Sequence, residues 1–136
     1  MAANVLVDTS LIVAFLNRRD ANHQWAVVQA RTIPPPWQTC EPVLSESFYT
    51  LGPDGAPHFI DLLGRRAVTS TFSLDENLDD VTRLLRKYAD VPMSLADACL
   101  VRMTEMLPDP ILLTADTDFR LYRRHSRQTI PCVSPD

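Results

Sequence analysis

Glycine is scarce in this sequence. Gly52, Gly55 and Gly64 are the only three in 136 residues, and all fall in one region. No glycine-rich loop is therefore available to cradle a nucleotide phosphate. Cysteine is equally sparse. Cys40, Cys99 and Cys132 are widely spaced, odd in number, and form no Cys-x-x-Cys pair. That argues against a zinc site or a disulfide framework, and the expectation is buried free thiols in a reducing compartment. Histidine is limited to His23, His58 and His125, none with an obvious nucleophile partner, so no Ser-His-Asp or Cys-His arrangement competes for the function. His23, beside Gln24 and Trp25, has no second ligand at helical spacing and reads as a surface or packing residue. Long apolar runs are lacking too, so no segment spans a membrane. Residues 2–16 lack a basic start and carry Asp8 inside their apolar stretch, which does not read as a signal peptide. The expectation is a cytoplasmic protein.

Cations are outnumbered, 13 against 17 acids, for a formal charge of −4. A nucleic-acid binder is ordinarily basic. If four carboxylates belong to one metal site, however, the remaining charges balance. All the cations except Lys87 are arginine, whose planar fork suits phosphate, although genome bias produces the same ratio.

The chain length fits one domain, residues 1–136, with one core. Strand and helix signals alternate along it. Val5 to Val7 reads as a strand and Thr9 to Asn17 as a helix. Asp20 is placed to cap a second helix through about Ala30, and Pro34-Pro35-Pro36 stops it. Trp37-Gln38 suggests a short strand, with Thr39 capping the next helix. That helix, Cys40 to Leu51, carries Val43, Leu44, Phe48 and Leu51 at helical spacing. Gly52 to Gly55 breaks the chain, and a short helix spans Ala56 to Leu63. Val68 to Phe72 reads as a strand. Asp75 to Tyr88 is amphipathic, with Leu78, Val81, Leu84, Leu85 and Tyr88 inward. Ser94-Leu95-Ala96-Asp97 opens a helix through about Leu107 with a capping-box pattern. Ile111 to Leu113 and Ile130 to Val133 are the last strands. This alternation predicts an α/β layer with a mainly parallel sheet.

Acids stand at the ends of these elements. The strand Val5-Leu6-Val7 runs straight into Asp8, followed by Thr9 and Ser10. The strand ending at Leu113 runs into Thr114-Ala115-Asp116-Thr117-Asp118. The carboxyl ends of parallel strands open into the crevice where ligands bind. Each acid also has a bland reading: Asp8 and Asp97 as helix caps, Glu46 as a solvated helix former. If strands one and four are parallel neighbours, Asp8 and Asp116 share one edge, and Asp97 and Glu46 need only project toward it. Gathered carboxylates repel one another and raise each other's pKa unless a cation joins them. A hard divalent ion takes such oxygen ligands, activates a water and clamps a phosphate.

Val5-Leu6-Val7-Asp8-Thr9-Ser10, Glu46 in the helix after the second strand, Ser94-Leu95-Ala96-Asp97-Ala98, and Leu113-Thr114-Ala115-Asp116-Thr117-Asp118-Phe119 occur in that order and spacing. Together they resemble the PIN domain family, and more closely its VapC-type toxin ribonucleases, over nearly the whole chain. The resemblance implies a three-layer α/β/α fold with a mainly parallel central sheet. It implies a divalent-metal-dependent endoribonuclease, the toxin of a type II toxin–antitoxin pair, dimeric and partnered by a small antitoxin. Carried over residue by residue, Asp8, Glu46, Asp97 and Asp116 form the acidic site. Asp8, Asp97 and Asp116 hold Mg²⁺ or Mn²⁺, and Glu46 holds a second ion or the water. Thr9, Ser10 and Thr114 support the ligands, and Asp118 is an auxiliary ligand or fixes the turn. Glu46 is preferred over Glu41 because it lies deeper among apolar residues, where an unpaired charge is costly. Arg120, Arg123, Arg124 and Arg127 fall at i, i+3, i+4 and i+7. If that stretch is helical, they share one face that holds either the RNA backbone or an acidic antitoxin segment. The rival reading is a PIN module that binds RNA or a protein partner without cleaving.

Overall fold

The first strand, β1 (Asn4–Val7), is the centre of the sheet, because its Leu6 and Val7 are fully buried between helices. A computed structural model describes residues 4–136; residues 2 and 3 of the stretch weighed as a leader lie outside the described residues. After β1 come α1 (Thr9–Leu16) and α2 (His23–Thr32), then β2 (Trp37–Thr39), α3 (Glu41–Gly64) and β3 (Val68–Ser70). A 3-10 turn (Asp75–Asn77) leads into α4 (Leu78–Lys87), and α5 (Leu95–Met106) leads into β4 (Pro110–Leu113). The chain ends in a 3-10 turn (Thr117–Arg120), a two-stranded hairpin of β5 (Arg123–Arg124) and β6 (Gln128–Thr129), and β7 (Cys132–Val133). The main sheet has the order β3-β2-β1-β4-β7, and every pairing in it is parallel. No described helix is long and apolar enough to cross a membrane.

The parallel sheet follows from the sequence. Short β-branched runs buried on both faces need helices above and below them. Those helices bring Leu11, Ile12, Val43, Phe59, Val81 and Leu100 to the core. Phe15 packs edge-on against Trp37, with ring centroids 5.6 Å apart.

Several boundaries differ from the sequence reading, each for a local reason. Asp20 does not cap α2; its side chain accepts from the Asn22 N–H (2.8 Å) in an Asx turn before the helix starts. Thr39 does not cap α3 either. It is the last residue of β2, fully buried, and its hydroxyl donates to the Val7 carbonyl (2.8 Å) across the sheet. The expected break after Leu51 is confined to Gly52, whose φ of 66° and ψ of −171° kink α3. The chain resumes helical geometry at Pro53, where proline's fixed φ suits a helix start. Leu78 is 47 % exposed, not inward. Asn77 occupies the inner position instead, donating to the Ser73 carbonyl (2.8 Å) and accepting from Arg102 (3.0 Å). Cys40 and Cys99 are buried and Cys132 is half-buried, all as free thiols.

Candidate active site

The β1–β4 register builds the site. Val5 lies opposite Ile111 and Val7 opposite Leu113, so the next residues, Asp8 and Thr114, meet side by side at the carboxyl edge. Asp8 is the N-cap of α1, accepting from the Leu11 N–H at 3.0 Å. It is also a wall of a cleft of ≈ 350 Å³. The cap and the site are thus the same carboxylate. One Asp8 oxygen accepts from Ser10 Oγ (2.7 Å), and the other accepts from Thr114 Oγ1. Ser10 Oγ in turn accepts from the Ala115 N–H (2.8 Å), and Thr114 Oγ1 accepts from the Asp116 N–H (2.9 Å). This network locks the end of β1 to the turn after β4.

The four acids come from separate segments and line this one cleft. Asp116 follows β4, and its Oδ1 accepts from the Asp118 N–H at 2.9 Å. Asp97 closes the capping box of α5: its N–H donates to Ser94 Oγ (3.0 Å), and its Oδ2 accepts from the Ser94 N–H (3.2 Å). The same Oδ2 accepts from the Tyr122 hydroxyl at 3.0 Å. Glu46 projects from α3, and its Oε1 accepts from Thr9 Oγ1 at 3.1 Å.

Glu46 is exposed, which corrects the reason for preferring it: it is not embedded among apolar side chains. The helical turn of α3 nonetheless aims it at the cleft, whereas Glu41 lines a neighbouring groove. Asp118 is not among the cleft walls, so fixing the turn is what its backbone does here.

Burial sets the electrostatics. Asp8, only 5 % exposed, is pushed up from 3.8 to about 6. Loss of hydration is the main cause, and the charge of Asp116 adds to it. The hydrogen bonds from Thr114, Ser10 and Leu11 oppose the rise. Asp97 is raised as well, first by burial and further by Asp116, against the bonds from Ser94 and Tyr122. The Tyr122 hydroxyl is driven far upward by burial and by Asp97, so it stays a donor.

The donor set fits a hard divalent cation. Every candidate ligand is a carboxylate oxygen. Glu46, Asp97 and Asp116 each keep one oxygen that accepts no hydrogen bond among the described residues. A shared positive charge would relieve the burial and repulsion that raise Asp8 and Asp97. As placed, no three His, Cys, Asp or Glu side chains among the described residues converge at metal-holding distance.

The arginine stretch is not helical, which corrects the shared-face reading. Beyond the 3-10 turn, Arg123 and Arg124 enter a hairpin whose turn holds His125 (φ 48°) and Ser126 (φ 68°) in the left-handed region. The arginines had helical spacing, but no apolar stripe opposite them could be buried; Phe119 and Tyr122 anchor the turn instead. Arg120 pairs with Asp136 (3.4 Å), Arg123 donates to the Arg120 carbonyl (2.7 Å), and Arg124 donates to the Thr104 carbonyl. Arg127 is exposed in the hairpin turn.

Sequence reasoning missed Tyr122, Asp20, Asn22 and Thr50. Tyr122 reaches the site through its bond to Asp97 and the last three line the cleft; none carries a local signal that would have marked it.

The family model described as PIN domain matches residues 5–124. Among curated proteins none matches the chain. Among solved structures, that of VapC20 from Mycobacterium tuberculosis, described as a sarcin-ricin loop cleaving toxin, superposes with a TM-score of 0.72. Identity is 21%, over 85% of this chain and 92% of that one, so the likeness is one of fold. The match over residues 5–124, on a parallel sheet with acids at its carboxyl edge, places this chain in the PIN domain family.

Proposed function

We propose that this chain is a divalent-metal-dependent endoribonuclease that hydrolyses RNA phosphodiester bonds. We further read it as the toxin of a type II toxin–antitoxin pair, acting in the cytoplasm as a homodimer and held by a small antitoxin. The observation that carries the nuclease reading is the convergence of Asp8, Glu46, Asp97 and Asp116 on one cleft at the carboxyl edge of the sheet. Membership of the PIN family supports it, and the fold shared with a toxin that cleaves the sarcin-ricin loop supports the toxin reading.

Asp8, Asp97 and Asp116 would hold Mg²⁺ or Mn²⁺, with Glu46 completing the set or orienting the attacking water. Such an ion supplies Lewis-acid polarisation of the phosphoryl oxygen and a more acidic water. The chain's own residues do the positioning. Ser10 and Thr114 fix both Asp8 oxygens. Tyr122 and Ser94 hold Asp97 Oδ2 so that Oδ1 remains available. Thr9 steadies Glu46.

Cleavage of a panel of structured RNAs, including tRNAs and ribosomal stem-loops, tests this with Mg²⁺, Mn²⁺ or EDTA. The comparison variant is Asp116→Asn, because Asp97 also closes the α5 capping box. Metal-dependent cuts at defined sites that vanish in the variant are expected. A folded wild type that binds RNA but cuts nothing with either metal would replace the enzyme with a non-cleaving RNA-binding module.

A further inference from the structure

Beside the acidic cleft, over the ends of β2 and β3, lies a second groove of ≈ 490 Å³. Pro42 and Ser45 of α3, Phe72 and Leu74 of the loop after β3, and Leu95 and Ala96 of α5 form its walls. Two carboxylates, Glu41 and Glu46, stand among these mainly apolar walls. Glu46 and Ala96 also line the acidic cleft, so the two hollows adjoin, with these two residues at their common boundary. Leu95 is 42 % exposed, an apolar side chain left facing the groove. The Glu41 side chain has no hydrogen-bond or ion-pair partner among the described residues.

We infer that this groove seats an unpaired guanine base adjoining the phosphodiester held in the cleft, an inference that rests on the proposed nuclease reading. Phe72 offers a ring for stacking, the usual way a protein holds a splayed-out RNA base. Glu41 offers two acceptor oxygens. Guanine's Watson–Crick edge carries two adjacent donors, N1–H and the N2 amino group, which one carboxylate accepts together. Uracil has one donor flanked by carbonyls that the carboxylate repels. An aliphatic side chain from a protein partner suits the groove less well, since it would strip water from Glu41 and return no hydrogen bond. The common boundary at Glu46 and Ala96 sets the groove beside the cleft, so a strand whose phosphate lies over the acids can turn its neighbouring base into the groove.

Two measurements test this. In the first, the full-length Asp116→Asn chain, in EDTA, is titrated with GMP, AMP, CMP and UMP and followed by amide NMR. GMP is expected to shift the Phe72, Leu74 and Leu95 signals most and UMP least, with the GMP preference lost in an added Glu41→Gln substitution. In the second, Glu41→Gln and Phe72→Ala are assayed for cleavage in the otherwise native chain. Each is expected to raise KM by roughly tenfold with kcat unchanged, and Glu41→Gln is expected to relax the preference for guanine beside the cut. Glu41 is exposed, so its variant remains informative if Phe72→Ala misfolds. Asp116-dependent cleavage with unchanged KM and no base preference at the cut overturns the groove assignment and leaves the nuclease standing. GMP in the groove of a chain that cuts nothing upholds the groove and removes the nuclease. Groove signals that move only with protein concentration overturn the assignment in favour of a second copy of this chain.

Discussion

Thr114 Oγ1 donates a hydrogen bond to Asp8 Oδ2 across the β1–β4 pair, while accepting one from the Asp116 N–H. One hydroxyl therefore links two of the acids. Thr114→Val keeps the shape but removes the strongest of the bonds that hold the Asp8 pKa down. The pH at which Mn²⁺ binding is half-developed is expected to move upward by about one unit, read by calorimetry across a pH series. Thr114→Ser should restore the wild-type midpoint. An unmoved midpoint in the valine variant would mean the bond does not govern Asp8.

Asp8 also predicts how stability depends on pH in the metal-free protein. Its folded-state value, about 6, lies above the ordinary 3.8. The folded state therefore binds the proton more tightly than the unfolded chain does. The stability that Asp8 contributes is fully present below about pH 4, is lost as pH rises through about 6, and then levels off, a loss on the order of 3 kcal/mol from this group. Asp97 shifts in the same direction and adds to the slope. Denaturant unfolding in EDTA should show Asp8→Asn gaining on wild type between pH 4 and pH 7. A difference between variant and wild type that stays the same from pH 4 to pH 7 would contradict the burial penalty.

Gly52 should resist substitution. Its φ of 66° with ψ of −171° lies where only glycine is comfortable, and there is open space where a Cβ would stand. The cost of Gly52→Ala is therefore backbone strain without collision, about 1–3 kcal/mol. Thermal unfolding should show the loss. Straightening the kink would also disturb Thr50, two residues before it and part of the cleft.

The arginines should separate by role. Arg124 reaches back to the Thr104 carbonyl, and its Nε is buried without a partner. Arg124→Ala is expected to cost stability by about 1–3 kcal/mol. Arg127 is exposed in the hairpin turn, so Arg127→Ala should leave unfolding unchanged. If Arg127 meets an RNA phosphate, its loss weakens binding evenly across sequences and lowers the salt slope by about one. An unaltered slope would remove Arg127 from the RNA path.

The residue pattern of this chain was enough to specify the alternation of strands and helices, the parallel sheet and the capping box at Ser94 and Asp97. Those features arise from hydrophobic periodicity and from hydrogen bonds only a few residues apart, which local sequence encodes. The acids at the ends of β1 and β4 were legible for the same reason, because a strand that runs straight into a carboxylate is a local pattern. Tertiary structure decided the rest. Register across β1 and β4 put Thr114 against Asp8, over a separation that no local pattern spans. Tyr122 reached Asp97 only because Phe119 and Tyr122 buried themselves and turned the chain. The arginine spacing suggested a helix, yet a helix persists only where one face can be buried, and here the surrounding core offered burial to two aromatic rings instead.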